Sequence, residues 1–387
     1  MFASILDGVF NGLSIGSILL LAALGLAIVF GLMGVINMAH GELMMLGAYT
    51  TCVVQRGFRQ IGGDSPLFEF YIFAALIASF AVAALVGLAL ERGVIRFLYG
   101  RPLETLLATW GVSLMLQQFV RSVSWNMAIA IALFSLLFFG GMWLLKQKTD
   151  FERIRGWAIA VLLVLSGLIT RVITQLTAGT YQLAVTQPWF GAQNQDVTAP
   201  GWLRGGIPIG NYQLSNTRIF IMVLTVLCVV GVYLFLNKTV WGMRIRSVTQ
   251  NRNMSACLGI PTRTVDALTF ALGSGLAGIA GCAVSLLGSV GPNTGQNYIV
   301  NTFMVVVVGG VGKLVGTVVG ALAIGVTDYI IGTGILGNLT NVQFLKDFFA
   351  FFATTSMAKV MVFFLIVVFL QFRPAGLFPQ KGRTVDA

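Results

Sequence analysis

The single histidine of the chain stands in Asn37-Met38-Ala39-His40-Gly41-Glu42, a polar cluster between two long apolar runs. His40 and Glu42, with Asn37, could line or gate a passage for a polar solute, because ionisable groups within a membrane are costly unless they face water or a partner. The alternative is local: Asn37 and Glu42 sit where a helix start would use their side-chain oxygens. A lone histidine without Cys, Asp or a second His at ligand spacing makes a poor metal site.

A second cluster lies in residues 237–263, NKTVWGMRIRSVTQNRNMSACLGIPTR. It opens on Trp241 and Gly242, carries Arg244, Arg246 and Arg252 among small polar residues, and closes on Leu258-Gly259-Ile260-Pro261. Gly259 and Pro261 would stop a short helix. Such a basic, partly apolar helix between two spans could lie against a partner protein, with Met254, Ala256 and Leu258 as knobs. A solvated loop that only fixes topology is the other reading.

Two further acids belong to apolar runs, Asp266 at the start of one and Asp328 two-thirds along another. Ser14, Ser17, Ser113, Gln117, Gln118, Asn301 and Thr327 are of the type that suits a water-filled passage. Catalytic patterns do not emerge. No nucleophile has a base beside it, and no carboxylates are paired for hydrolysis. The segment Gly309 to Leu314 has the look of a phosphate loop, but GxxxxGK[ST] requires Gly at 307 and Ser or Thr at 314. Those positions hold Val307 and Leu314, so ATP is not expected to bind here in that way, and the chain reads as no enzyme.

The elements that must position these residues are membrane spans. The chain has 387 residues, 57% hydrophobic and 10% charged, against about 25% charged in soluble domains. Apolar runs predict spans near 9–33, 38–54, 67–90, 104–120, 127–145, 157–174, 217–236, 264–289, 299–311, 314–332 and 357–372. The fold class that follows is an all-α polytopic membrane protein, one bundle of about 9 to 11 transmembrane helices. Residues 1–387 form a single membrane domain, since no polar stretch is long enough to bury a core of its own. The first charge is Asp7, so the basic region of a cleavable signal is missing and the first run reads as a retained helix.

The net charge of +11 reports loop placement and not nucleic acid. One alternating set of connections holds sixteen Lys and Arg, the other eight. That bias puts the C-terminus in the cytoplasm and the N-terminus outside. The longest outer connection, 175–216, is rich in Gly, Pro, Gln and aromatics. Cys52, Cys228, Cys257 and Cys282 have no CxxC spacing and read as packing residues. Gly12 and Gly16, the series Gly312, Gly316 and Gly320, and Gly273 with Ala277 and Gly281 have the small-residue spacing of close helix packing.

Taken together, GLSIGSILLLAALGLAIVFGLMGVINMAHGELMMLGAYTT, ATWGVSLMLQQ, RIRSVTQNRNMSACLGIPT, VDALTFALGSGLAGIAG and VVVVGGVGKLVGTVVGA resemble the ABC importer permeases of the branched-chain amino acid type. GVINMAHGE, FGAQN, TQNRNMSACLGIPT with VDALTF, and RPAGLFPQKGRTVD point within that type to the urea permease branch. The resemblance implies a bacterial plasma-membrane permease that translocates urea or, alternatively, branched-chain amino acids. It implies four kinds of contact: a second related permease, two cytoplasmic ATP-binding subunits that hold ATP and Mg, an extracytoplasmic binding protein, and the lipid bilayer. It also implies that Arg244 to Ile260 supply a coupling helix for the ATPase. A passive urea or amide channel and an ion-coupled transporter remain as other classes; a channel needs no docking helix, and an ion-coupled carrier needs inverted repeats and a membrane acid such as Asp328.

One departure stands out. Residues 122–188 separate ATWGVSLMLQQ from FGAQN and contain two more apolar runs. They read as an inserted helical hairpin on the bundle periphery, its inner turn Lys146 to Arg155 basic and flanked by Trp143 and Trp157.

Overall fold

The computed structural model describes residues 2–62, 66–148, 151–180, 187–191, 193–209, 212–334, 351 and 353–378. The helices are α1 (Phe2–Met33), α2 (His40–Gly62), α3 (Tyr71–Gly93), α4 (Pro102–Ser122), α5 (Trp125–Lys148), α6 (Phe151–Thr180), α7 (Asn216–Lys238), α8 (Val240–Gln250), α9 (Arg252–Cys257), α10 (Thr262–Ser285), α11 (Thr294–Gly309), α12 (Leu314–Gly332) and α13 (Thr355–Phe372). A small antiparallel hairpin, β1 (Gly206–Ile209) with β2 (Tyr212–Ser215), pairs Gly206 with Ser215.

Among the described residues seven helices are long and apolar enough to cross a membrane: those of α1, α3, α5, α6, α7, α10 and α12. The other expected spans are helical but differ in kind. α2 carries Gln55, Arg56 and Arg59, and α4 carries Glu104, Gln117, Gln118 and Arg121. α11 has 16 residues, about 24 Å of helix against a hydrocarbon core of about 30 Å.

The chain divides into two compact units, residues 1–114 with 195–387, and residues 115–194. In the first, α1 is the central helix, buried along its middle and packed against α7, α10, α11 and α12. Glycine allows the approach: a Cβ on Gly25 would lie 2.3 Å from the Gly273 carbonyl oxygen, and one on Gly47 would lie 2.2 Å from that of Gly278. Gly12 meets Val326, Gly16 meets Ala321, Gly316 meets Gly309 and Gly320 meets Val305 in the same manner. Gly312 differs from its expected place on a helix. It stands in the turn before α12 with φ +87°, where glycine takes the left-handed backbone at no steric cost, and it abuts Gly31.

Residues 195–203 lie over the far ends of α2 and α3. Gln55 and the Tyr71 hydroxyl both donate to the Thr198 carbonyl at 2.7 Å, and Gln195 pairs with Val290 in an antiparallel bridge. At the opposite end a strap follows α13, with Leu377 N–H donating to Val308 O at 2.8 Å and Phe378 N–H to Gly309 O at 3.2 Å. It closes two carbonyls that the end of α11 leaves open.

The second unit contains α5 and α6 packed on each other, with Trp125 edge-on to Trp189 at 4.9 Å. α6 continues through Arg171 without interruption. The basic turn expected at Lys146 to Arg155 has its tip, residues 149 and 150, outside the described residues.

Candidate functional site: two half-depth helices and a basic loop

The segment 34–39 does not carry the chain straight into a second crossing. His40 Nε2 lies 3.1 Å from the Ala22 carbonyl. Ala22 is three turns before Met33, so the chain has doubled back along α1 by about 16 Å. α2 therefore begins near half depth and runs away from the Met33 end. α11 also begins there. A Cβ on Gly41 would lie 2.5 Å from Gly295 O, and one on Gly295 equally close to Gly41 O. From that meeting point α11 runs the other way, reaching Gly309 beside Gly316 near the Met33 end. Two helix N-termini, each carrying partial positive charge, thus meet in the interior.

The polar cluster of the sequence builds this joint. Asn37, His40 and Glu42 are all buried. Asn37 Oδ1 accepts the Ala39 N–H at 3.1 Å, the Met38 N–H donates to Thr109 Oγ1 at 3.1 Å, and Ser113 donates to Glu42 Oε1 at 3.1 Å. Thr105, Thr109 and Ser113 recur every fourth residue on the buried face of α4, so one helix face presents three hydroxyls. Asn37 Nδ2 and His40 Nδ1 are buried with no hydrogen-bond partner among the described residues. Gln117 is buried on the part of α4 that belongs to the second unit.

Asn301 and Asp328 line one small recess with Leu19, Ile324 and Lys359. Lys359 places a positive charge in the same recess as Asp328, which gives that acid a counter-charge within the protein.

The exposed face of α11 is unlike the other exposed helix faces. Asn293, Gln296 and Asn297 are all exposed at its start. α3 and α7 expose Phe73, Ile77, Leu85, Val226, Leu227 and Val230. Amide groups facing hydrocarbon without partners cost several kcal/mol each, about 4–8 by transfer to an alkane. At half depth the Gln296 and Asn297 amides belong against water or a polar surface.

The basic loop folds as two helices. Thr239 Oγ1 accepts the Gly242 N–H at 3.0 Å and starts α8; Asn251 Oδ1 accepts the Met254 N–H at 2.9 Å and starts α9. Gly259, at φ +79°, ends α9, with the Ile260 N–H reaching back to Ser255 O at 3.1 Å. Gly242 is confined by the carbonyls of Phe235 and Leu236. Ile245 and Val248 of α8 pack with Val265 of α10 and Leu32 of α1. Arg244 lies over the Trp241 ring at 4.9 Å, and Arg246 donates to Asn237 Oδ1 at 3.1 Å. Arg252 pairs with Asp266 at 2.5 Å and lies over Tyr99 at 5.0 Å. Burial, with the charges of Asp266 and Glu91 beside it, raises the Tyr99 hydroxyl above its ordinary range, so it stays protonated and donates to Glu91 at 3.2 Å. Met254, Ala256 and Leu258 are exposed, Leu258 to 75%.

Residues 8–370 match the family model described as "Branched-chain amino acid transport system / permease component". The chain belongs to that permease family. Among curated relatives, the branched-chain amino acid permease protein BraD of Pseudomonas aeruginosa is 27% identical over 95% of this chain and 93% of its own. LivH of Escherichia coli, of the same description, is 23% identical over 84% of this chain and 86% of its own. The ribose import permease RbsC of Bacillus subtilis is 31% identical over 29% of this chain and 36% of its own. No solved structure matches the permease.

Sequence reasoning named Asn301 on α11 but missed Asn293, Gln296 and Asn297 of the permease. The signal that could have found them is the short length of α11 together with amides crowded at its start, PNTGQNYIVN, where a full crossing would place apolar residues.

Proposed function

We propose that the permease is the membrane subunit of an ATP-driven importer, and that its cargo is a branched-chain amino acid. The cargo reading is supported by relatives matched over 84–95% of the chain, whose descriptions name branched-chain amino acid transport. The work-receiving reading is supported by one juxtaposition: exposed Met254 and Leu258 on a basic pair of helices whose inner side is pinned by Arg252 to Asp266 on α10.

The chain of contacts gives a route for work. Closure of cytoplasmic ATP-binding subunits displaces α8 and α9. Ile245, Val248 and the Arg252–Asp266 pair carry that displacement to α10. α10 touches α1 at Gly25–Gly273 and α2 at Gly47–Gly278, on either side of His40. The Gly41–Gly295 joint then shifts, and the amide face of α11 is the wall along which cargo passes, opposite a second related permease. Amide groups suit both ends of an amino acid zwitterion, and the helix N-termini favour its carboxylate. Loaded binding protein docks on the outer segment 195–215. In this orientation the C-terminus is cytoplasmic, and a reporter fused after Ala387 is active only on that side.

A second reading of the cargo, urea, is favoured by the motif likeness of GVINMAHGE, FGAQN and RPAGLFPQKGRTVD. Uptake of radiolabelled leucine and urea by the assembled importer decides between them. Leucine uptake stimulated by ATP and unaffected by urea supports the first reading; urea uptake unaffected by leucine replaces it with the second. Uptake of either that needs no ATP would sink the importer reading.

A further inference from the structure

Four guanidinium groups converge at the end of α3. Arg92 belongs to its last turn and Arg96 to the short helical turn Ile95–Phe97; Arg252 begins α9, and Arg263 lies in the first turn of α10. With Glu91 and Asp266 they line a cavity of about 380 Å³. Both acids are already engaged, Asp266 by Arg252 and Glu91 by the Tyr99 hydroxyl. Arg92, Arg96 and Arg263 form no ion pair among the described residues. The cavity therefore presents four cations against two anions, with three guanidinium forks unused.

Its rim is apolar on one side. Phe97 is 66% exposed with Arg96 lying over its ring at 4.5 Å. The cavity also sits at a membrane edge, because the apolar helical stretch of α3 ends at Phe97 and that of α10 starts at Thr262. Guanidinium groups bind phosphate oxygens two at a time, and basic cavities between spans take anionic headgroups. A soluble anion would use the arginines but leave Phe97 idle.

We propose that this cavity binds a phosphoryl group, that of an anionic phospholipid headgroup whose acyl chains lie along Phe97. The ligand sits beside Arg252 and adds a second anion to its exposed side. It thereby strengthens the attachment of α9 to α10, which ties the basic loop to the lipid around it.

Purified full-length protein, stripped of lipid and offered equal phosphatidylglycerol and phosphatidylcholine, tests this by native mass spectrometry. Phosphatidylglycerol is expected to be retained about tenfold more strongly. The variant Arg92→Ala/Arg96→Ala/Arg263→Ala should lose that preference, and the corresponding triple Lys variant should keep part of it. Arg263→Ala alone gives the same readout with one exposed side chain changed. Equal retention of the two lipids, or an unchanged preference in both alanine variants, overturns the proposal. Displacement of the lipid by millimolar inorganic phosphate assigns the cavity to a soluble phosphoryl ligand and overturns the lipid. Protection of these arginines from phenylglyoxal by added ATP-binding subunits, and not by phosphatidylglycerol, overturns it in favour of a protein contact.

Discussion

Gly41 and Gly295 face each other backbone to backbone where α2 and α11 begin, each occupying the volume into which the other's Cβ would project. Neither can yield without moving a helix start. Gly295→Ala should lower stability by about 1–3 kcal/mol, the usual range for forcing a methyl into close packing. Gly57, on α2 with nothing within 4 Å of an added Cβ, is the control. Gly57→Ala should be neutral or stabilising by up to about 1 kcal/mol, since alanine is the better helix former. Thermal unfolding in detergent reads both, and equal effects would refute the close approach.

Arg252 and Asp266 should couple. Asp266 has a side chain only 6% exposed, whereas that of Arg252 is 45% exposed. Removing the arginine strands a buried carboxylate, so Arg252→Ala should cost more than Arg252→Ala combined with Asp266→Asn costs beyond Asp266→Asn alone. An interaction energy of about 0.5–3 kcal/mol is expected from the double-mutant cycle. The same single variant should uncouple ATP hydrolysis from loaded binding protein, with hydrolysis itself retained. Additive unfolding energies would show that the pair carries nothing.

Gln296→Leu and Asn297→Leu should leave insertion intact and reduce uptake at least about tenfold, because they remove hydrogen-bonding groups and create only apolar surface. The reciprocal change tests the contrast between faces. Leu85→Asn, on the exposed apolar side of α3, should impair insertion or stability. Protease accessibility and yield report the insertion; full uptake by the α11 double variant would remove that face from the pathway.

Deleting residues 124–186 should spare transport. The deletion falls inside the separate compact unit 115–194 and leaves the joint, the amide face and the basic loop untouched. Loss of uptake in a well-inserted deletion would make the hairpin part of the transport machinery.

Much of the architecture was legible because apolar runs announce themselves residue by residue. All eleven expected runs are helical, and Gly259 ends α9 as expected, with Pro261 standing just before α10. Depth was not legible. Hydropathy of 38–54 and 299–311 says that these residues are buried in something apolar, but not that both helices start half-way in. That follows from long-range contacts, His40 with Ala22 and Gly41 with Gly295, which no local pattern encodes. The single short helix expected in the basic loop became two because Asn251 takes an extended backbone and caps the second. Gly312 shares a four-residue spacing with Gly316 and Gly320, yet it stands in the turn before α12, which begins at Leu314, so spacing alone placed it on a helix it precedes.

The strap at Leu377 and Phe378 bears on how the protein is made. α11 emerges from the ribosome with its last carbonyls open, and they stay so through the synthesis of α12 and α13. Only when the strap arrives is that end sealed. A chain stopped before the strap would leave the Val308 and Gly309 carbonyls without these two donors, so the last residues made complete a helix end laid down about seventy residues earlier.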